Sequence, residues 1–213
     1  MKYDKDYIAA HLDLAVLKPT ATYQDVKDAC ALANKHGIKS VCVAPIYVKL
    51  ASSMFDNVSC VIGYPHGNTL PAVKYAEANQ SINNGAKELD VVVNYGRFLD
   101  GDSEPLKTEL SMIMAIARFR GVLVKAILET CHYTPRQLIN ACELCAIYGV
   151  DYIKTSTGAL KGATPGVVKI IRDSAPGVPV KASGGIKTYE QVCGYFDLGV
   201  GRIGASSFGD LLP

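Results

Sequence analysis

One structural unit repeats along almost the whole chain: a short apolar strand, a polar loop and an amphipathic helix. The pattern predicts eight strands, at residues 12–14, 40–43, 59–62, 88–93, 122–128, 152–155, 178–182 and 201–204. Strands that alternate with helices form parallel sheets, and eight such units close into a (β/α)8 TIM barrel, an α/β fold. A doubly wound open sheet is the weaker alternative, since no glycine-rich dinucleotide fingerprint follows the first strand. We expect one domain over residues 1–213.

The helices between these strands have recognisable start and stop signals. Thr22 precedes a helix that ends at Gly37, and Pro71 begins one that ends at Gly85. The other start signals are Pro105, Thr134-Pro135 (for a helix ending at Gly149), Thr164-Pro165 and Thr188. Such residues favour helix N-termini and C-caps. Residues 4–10 are expected to form a leading helix that covers the bottom of the barrel.

Composition narrows the class of protein. The chain is 49% hydrophobic and 20% charged, and its net charge of +2 comes from scattered basic residues, so no nucleic-acid partner is expected. No apolar run reaches a membrane-spanning length, and the N-terminal segment lacks the features of a signal peptide. The seven cysteines have no framework spacing, which is typical of reduced thiols. We therefore expect a cytoplasmic protein with no membrane partner.

The period-2 pattern of the strands separates a helix-facing side from an inward-facing side. In the fourth strand, Leu89, Val91 and Val93 share one face, and Asp90 lies on the other face. The all-apolar faces are expected to pack on the helices, so the opposite faces point into the barrel. The same alternation in the other strands turns several polar side chains inward: Asp13, Cys42, Asp90, Lys125, Lys154 and Lys181.

The inward lysines suggest covalent chemistry. Lys154 is flanked by Lys125 and Lys181 on the neighbouring strands, and adjacent ammonium groups disfavour each other's protonation. At least one of them is therefore expected to have a lowered pKa. A neutral amine attacks an aldehyde or ketone to form an iminium ion, and Asp90 is the inward carboxylate suited to shuttle the protons. The alternatives are a snorkelling Lys154 at an exposed strand end and a structural ion pair for Asp90.

The loops after the seventh and eighth strands suggest a phosphate site. Gly184 and Gly185 follow the seventh strand, and Gly204, Ser206 and Ser207 lie at the end of the eighth. Loops at these strands of a barrel commonly bind phosphate through backbone N–H groups and the start of a short helix. Ordinary turn formation is the alternative. The four histidines show no metal-ligand spacing, so neither a metal nor a cofactor is expected.

Seven segments together resemble the 2-deoxyribose-5-phosphate aldolase family, whose members are metal-independent class I aldolases on a (β/α)8 barrel. They span nearly the whole chain in the family's order. The two most specific segments are IKTSTG, which contains Lys154, and KASGGI, which contains Lys181. The supporting segments are LDLAVLKPTAT, SVCVAP, KELDVVVN, VKAILET and RIGASS.

The resemblance implies the reversible cleavage of 2-deoxy-D-ribose 5-phosphate to D-glyceraldehyde 3-phosphate and acetaldehyde, in deoxyribonucleotide catabolism. It makes Lys154 the Schiff-base residue, Lys181 the lysine that lowers its pKa, and Asp90 a proton-relay residue. Its implied phosphate-binding residues are Gly184, Gly185, Ser206 and Ser207. The other residues expected at the substrate are Asp13, Cys42, Lys125, Thr157, Gly158 and Gly204. A homodimer formed through outer helices is expected from the family.

The sequence departs from the family at its C-terminal end. Many members carry a tail ending in a tyrosine that assists proton transfer, whereas this sequence stops at Leu211-Leu212-Pro213. Either the sequence is truncated, or water, Tyr95 or Tyr133 is expected to move the proton. A non-catalytic sugar-phosphate binder and an isomerase or synthase without a covalent intermediate stay open as alternatives. We also expect an unsaturated aldehyde to alkylate the inward Cys42.

Overall fold

The strand–helix repeat folds into a closed barrel. The computed structural model describes residues 2–212. Its strands are β1 (Leu12–Val16), β2 (Ser40–Val43), β3 (Val58–Ile62), β4 (Glu88–Val92), β5 (Leu123–Ile127), β6 (Tyr152–Lys154), β7 (Val180–Ser183) and β8 (Arg202–Ala205). They pair in parallel in chain order, and β8 closes onto β1. The predicted (β/α)8 barrel is therefore confirmed, with strand boundaries that differ from the predicted ones by at most two residues.

Helices connect the strands on the outside of the barrel. In the described range they are α1 (Lys5–Ala10), α2 (Tyr23–His36), α3 (Val48–Ser52), α4 (Pro71–Asn83), α5 (Tyr95–Leu99), α6 (Glu104–Arg120), α7 (Pro135–Tyr148), α8 (Pro165–Ser174) and α9 (Tyr189–Asp197). Short 3-10 helices lie at Pro45–Tyr47, Thr130–His132 and Gly209–Leu211. None of the helices between residues 2 and 212 combines the length and apolar character that a membrane crossing requires.

Local sequence signals determine where the long helices begin and end. Thr22 and Thr134 each form a capping box at the start of α2 and α7, accepting a hydrogen bond from a backbone N–H of the first turn. Gly37 and Gly149 end the same helices in the left-handed conformation, with φ of +65° and +70°. The short helices α3 and α5 were not predicted, because five residues are too few to show a helical period.

The two faces of each strand separate as the alternation predicts. Leu89, Val91 and Val93 belong to the hydrophobic core that the helices share with the outside of the barrel. Asp90 points the other way, toward the barrel axis, where it contacts lysines of β5 and β6. At the amino ends of the strands, Tyr7 of α1 lines a cavity with residues that include Tyr152, as expected for a helix beneath the barrel.

Candidate active site

Strand register brings the predicted polar residues together inside the barrel. Asp90 on β4 pairs with Lys125 on β5, and Lys154 at the end of β6 pairs with Lys181 on β7. These four side chains are almost completely buried. Because alternate residues of each strand face the axis, consecutive strands deliver them to one cluster. We call Asp90, Lys125, Lys154 and Lys181 the lysine–aspartate cluster.

Asp90 is the hub of this cluster. Its Oδ1 accepts a hydrogen bond from Lys125 Nζ at 2.7 Å. Its Oδ2 accepts two, from Lys154 Nζ and Lys181 Nζ, each at 2.7 Å. Burial disfavours the carboxylate charge, but the three ammonium groups outweigh burial and hold the pKa of Asp90 well below its usual value. Asp90 therefore makes the structural ion pairs, with Lys125 and Lys181, that the sequence leaves open as the alternative to a proton-transfer role. It also contacts Lys154 directly, so the two roles are compatible.

A second charged layer lies deeper in the barrel. Asp13 on β1 forms ion pairs with Lys181, Arg202 and, at 3.3 Å, Lys125. Glu88 on β4 binds Lys125 at 2.5 Å and Arg202 at 2.9 Å. Lys125 is thus enclosed by carboxylates, whereas Lys154 contacts Asp90 alone among the acidic groups of the described residues. Asp13 and Lys125, both expected at the substrate, are placed beneath Lys154.

Two members of the deeper layer received no role from the sequence. The alternation in β4 already turns Glu88 inward, and in β8 the alternation with Ile203 turns Arg202 inward as well. That alternation is the signal that identifies both side chains. The two side chains add one negative and one positive charge and pair with each other, with Asp13 and with Lys125, so the interior holds four positive and three negative groups.

The pKa of Lys154 is raised above its usual value, so the expectation of a lowered pKa is wrong for this lysine. Burial by itself lowers the pKa, but the Asp90 carboxylate and its direct hydrogen bond offset that effect. Burial opposes the charge on Lys125 too, and there Asp13, Asp90 and Glu88 raise the pKa. Counting lysines alone gives the wrong sign of the pKa shift for Lys154 and Lys125, because the same interior holds carboxylates in direct contact with both.

Cys42 borders the cluster from β2. Its Sγ lies 3.9 Å from Asp90 Oδ2, and its side chain is buried. Burial, assisted by the negative charge of Asp90, raises the pKa of the thiol to about 11. The inward orientation predicted for Cys42 is confirmed. Its thiol is a weak nucleophile at neutral pH, because the thiolate is the reactive form.

The predicted phosphate loops lie at the carboxyl ends of β7 and β8. Gly184 and Gly185 both have positive φ, of +87° and +71°. A side chain at Gly184 would meet the backbone of Gly162 at 2.7 Å, so this position requires a glycine. A Cβ on Gly204 would lie 3.0 Å from the Ser183 side chain and 3.1 Å from Lys181 Cε. Among the serines of the last loop, Ser206 is exposed and Ser207 half-buried.

The loop after β6 is fixed by contacts with β5 and β7. Thr157 donates hydrogen bonds to the Glu129 carboxylate from its backbone N–H, at 3.1 Å, and from its hydroxyl. Ser183 Oγ donates to the Ser156 carbonyl at 2.6 Å. Gly158 is close to the Gly184 backbone, so the loops after β6 and β7 touch. Thr157 and Gly158 therefore lie beside the predicted phosphate loops.

The two tyrosines expected to replace the tail residue are in different environments. The Tyr133 hydroxyl is buried with no hydrogen-bond partner among residues 2–212. Burial, with Cys145 and Cys142 of the helix-facing core nearby, raises its pKa well above the usual value. Tyr95 stacks on His132 with ring centroids 5.1 Å apart. The structure does not bring Tyr133 together with Lys154.

The fold and the cluster define a class of protein. A parallel barrel with a buried lysine, a carboxylate in contact with it and a second lysine suits an enzyme that forms an imine with a carbonyl substrate. No group of three His, Cys, Asp or Glu side chains in the described part of the chain is arranged to hold a metal ion. Comparison with known proteins gives the family. A model of the DeoC/LacD family aldolases matches residues 6–202, so the chain belongs to this family and is an aldolase.

Individual relatives agree along nearly the full length. A deoxyribose-phosphate aldolase of Thermococcus gammatolerans is 41% identical over 208 residues, which cover 94% of this chain and 92% of that protein. The solved structure of an aldolase named QR15 has a TM-score of 0.91 and 36% identity, covering 96% of this chain and 93% of that one. The tetrameric deoxyribose phosphate aldolase of Aeropyrum pernix has a TM-score of 0.90 and 32% identity, covering 98% and 90%.

Proposed function

We propose that the chain reversibly cleaves 2-deoxy-D-ribose 5-phosphate to D-glyceraldehyde 3-phosphate and acetaldehyde, through a Schiff base on Lys154. The observation that supports this most strongly is the contact of Lys154 Nζ and Lys181 Nζ with the same oxygen of Asp90, each at 2.7 Å. An imine-forming aldolase needs an amine and a group that exchanges protons with it. The relatives named deoxyribose-phosphate aldolase support the choice of substrate.

The first step transfers a proton within the cluster. Lys154 rests as an ammonium ion, and its proton moves to Asp90 Oδ2 across the 2.7 Å contact. The neutral amine attacks C1 of the open-chain sugar to form a carbinolamine. Loss of water gives an iminium ion, which again places a positive charge beside the Asp90 carboxylate once Asp90 has given up its proton to the departing hydroxyl.

The second step breaks the C2–C3 bond. A proton leaves the C3 hydroxyl, the C2–C3 electron pair moves toward the iminium, and glyceraldehyde 3-phosphate departs while an enamine remains on Lys154. A proton then adds to the enamine carbon, and water hydrolyses the new iminium to release acetaldehyde. We assign the proton relay to Asp90, with Lys181 as the second donor on the same carboxylate oxygen. The positive charge of Lys181 also lowers the pKa of Lys154 whenever Asp90 is protonated.

The phosphate end of the substrate belongs, on this proposal, to the loops after β7 and β8. Gly185 supports this assignment, since no atom lies within 4 Å of where its Cβ would be, and the backbone is open to an approaching ligand. Ser206 and Ser207 supply hydroxyl donors on the neighbouring loop. Backbone N–H groups in such loops bind phosphate without a cationic side chain.

Two further features of the proposal concern the cellular context. Seven free cysteines, five of them buried, support a reducing, cytoplasmic location.

We also propose a homo-oligomer, with the dimer as its smallest form. Phe119 on α6 and Ile147 on α7 are exposed by 87% and 75%, and outer helices that carry such side chains can pair. The A. pernix aldolase is described as a tetramer. Light scattering of the purified protein measures the assembly directly.

Trapping the Schiff base tests the proposed mechanism. The protein is incubated with acetaldehyde, reduced with borohydride and analysed by intact mass and peptide mapping. We expect one added ethyl group on the peptide that contains Lys154. Lys154→Ala should abolish the adduct and the cleavage of deoxyribose 5-phosphate, whereas Lys169→Ala, at an exposed lysine of α8, should change neither.

The outcomes separate the competing functions. Cleavage without any adduct on folded protein would refute the covalent mechanism. Neither cleavage nor adduct would leave a sugar-phosphate binder, an alternative that family membership does not favour. An isomerase or synthase without a covalent intermediate is likewise disfavoured, because it needs no buried lysine beside a shared carboxylate.

A further inference from the structure

Glu129 stands out by its backbone conformation. It follows β5 directly, and with φ of +53° it is the sole non-glycine residue with a positive φ in the described range. Left-handed backbone is unfavourable for a residue with a long side chain and is retained where surrounding contacts enforce it. Here Leu128 N–H donates to the Lys154 carbonyl at 3.1 Å and Thr130 N–H to the Thr155 carbonyl at 2.9 Å. Both neighbours of Glu129 are thus hydrogen-bonded to the segment that carries the Schiff-base lysine.

The Glu129 carboxylate is buried, and only one of its two oxygens accepts hydrogen bonds. The residue is 1% exposed. Its Oε2 accepts both hydrogen bonds from Thr157, while Oε1 has no hydrogen-bond partner among residues 2–212. A buried carboxylate oxygen without a donor is unfavourable, and such an atom at a functional site requires a ligand or water to satisfy it. Contact with Thr157 therefore accounts for one oxygen and leaves the other buried without a donor.

The position of the carboxylate is at the mouth of the barrel. Thr157, which it binds, lies three residues after Lys154 at the carboxyl end of β6. On the other side, the negative charge of Glu129 reaches Tyr64 after β3 and Tyr95 after β4: burial raises the pKa of both phenols, and Glu129 adds to the shift. Because Glu129 follows β5 and its carboxylate binds Thr157 after β6, it lies at the carboxyl end of the strands, the end at which barrel enzymes bind their substrates.

We propose that Glu129 is a specificity-determining residue, whose Oε1 accepts a hydrogen bond from the α-hydroxyl group of the acceptor aldehyde. The proposal rests on the aldolase function above and adds a recognition role to it. Acetaldehyde, the donor, has no hydroxyl group, so Glu129 acts on the acceptor half of the reaction. In the cleaved sugar phosphate the same hydroxyl is the one on C4, which stays unreacted and lies between the reacting carbons and the phosphate.

Glu129→Gln separates this role from the support of the loop. The amide carbonyl can still accept the hydrogen bonds of Thr157, so the loop after β6 keeps its contact. The free oxygen becomes an uncharged NH2 group, which no longer accepts a hydroxyl proton. A hydrogen bond to a charged acceptor is roughly twice as strong as a neutral one. We therefore expect the preference for a hydroxylated acceptor to fall by about tenfold.

The experiment compares two acceptors that differ by one hydroxyl group, 2-hydroxypropanal and propanal, each added to acetaldehyde. The measured quantity is the ratio of their kcat/KM values on one enzyme preparation, which is independent of the fraction of folded protein. The expected result is a tenfold lower ratio for Glu129→Gln, with propanal kinetics and borohydride trapping of acetaldehyde on Lys154 unchanged. Glu143→Gln, the same exchange at an exposed position of α7, should leave the ratio as in the wild type.

Three other results would overturn the proposal. An equal loss with both acceptors would mean that Glu129 only holds the loop after β6. An unchanged ratio would mean that Oε1 meets water or another group instead. If wild-type protein formed no borohydride adduct at all, the proposed Schiff-base mechanism itself would fail, and trapping therefore distinguishes that failure from the failure of the Glu129 assignment.

Discussion

Replacing Asp90 by asparagine tests the electrostatic reasoning most directly. The exchange keeps the size of the side chain and one acceptor oxygen for Lys125, but it removes the charge that Lys154 and Lys181 share. Without that charge, burial and the positive charge of the neighbouring Lys125 both act against the protonated form of Lys154. The pKa of Lys154 should therefore fall in Asp90→Asn, because the group that raises it in the wild type is gone.

The contact distances indicate the size of the effect. At 2.7 Å, with an effective dielectric constant of about 20, two unit charges attract by roughly 6 kcal/mol. This gross attraction exceeds the several kcal/mol that burial costs each ion, which is why Lys154 stays protonated. Removing one partner of a buried pair commonly costs about 3–5 kcal/mol of folding stability. Loss of the proton relay should lower kcat by roughly 10²- to 10⁴-fold.

Imine formation and turnover should therefore respond in opposite directions. Borohydride trapping with acetaldehyde from pH 5 to pH 11 follows the neutral fraction of Lys154, and the midpoint of the trapping profile should move to lower pH in Asp90→Asn. Cleavage of deoxyribose 5-phosphate should be strongly impaired in the same protein. Asp100→Asn, at an exposed position, is the matched control. A midpoint that stays put or moves to higher pH in Asp90→Asn would refute the claim that Asp90 keeps Lys154 charged.

Three further predictions concern packing and reactivity. Lys74→Met leaves Glu109, its partner at 2.6 Å, unpaired; burial already raises the pKa of Glu109, so the loss of about 3–5 kcal/mol should be larger in urea unfolding at pH 8 than at pH 5. Gly204→Ala should lower the free energy of unfolding in urea by roughly 1–3 kcal/mol and reduce activity, because the added methyl group displaces the Lys181 side chain. Gly194→Ala, on α9 with open space around it, should raise the free energy of unfolding by up to about 1 kcal/mol in the same experiment. Cys42, with a pKa of about 11, should react with an unsaturated aldehyde over hours at pH 7.5, and complete alkylation within minutes by peptide mapping would contradict this.

Local patterns in the sequence are sufficient for the barrel and for most of the cluster. Strand alternation depends on the backbone alone, so it places Asp90 and Lys154 on the inward face without any tertiary information. Helix caps are equally local, and Thr22 and Thr134 begin their helices as predicted. The barrel follows because eight such units have few other ways to bury both faces of a parallel sheet.

The sign of the Lys154 pKa shift and the use of Glu129 are properties of three-dimensional distance. The charged group in contact with Lys154 is Asp90 on β4, two strands away in the barrel. Only the closed barrel shows this contact, which favours the charged form of Lys154 over the neutral amine that the neighbouring ammonium groups favour. The contact of Glu129 with Thr157 depends on a left-handed backbone at Glu129, which no local signal in the sequence predicts.

A raised pKa on Lys154 is compatible with imine chemistry, because the cluster matches the charge of the intermediate. The resting ammonium and the iminium ion carry the same positive charge at the same nitrogen, and Asp90 Oδ2 lies 2.7 Å from that atom. An environment that stabilises the ammonium therefore also stabilises the iminium and disfavours the neutral states between them. Preorganised charge of this kind lowers the energy of the species that acts as the electron sink when the carbon–carbon bond breaks. The same environment makes the initial loss of a proton from Lys154 unfavourable. That proton has to cross only one hydrogen bond, to the Asp90 oxygen that Lys154 shares with Lys181.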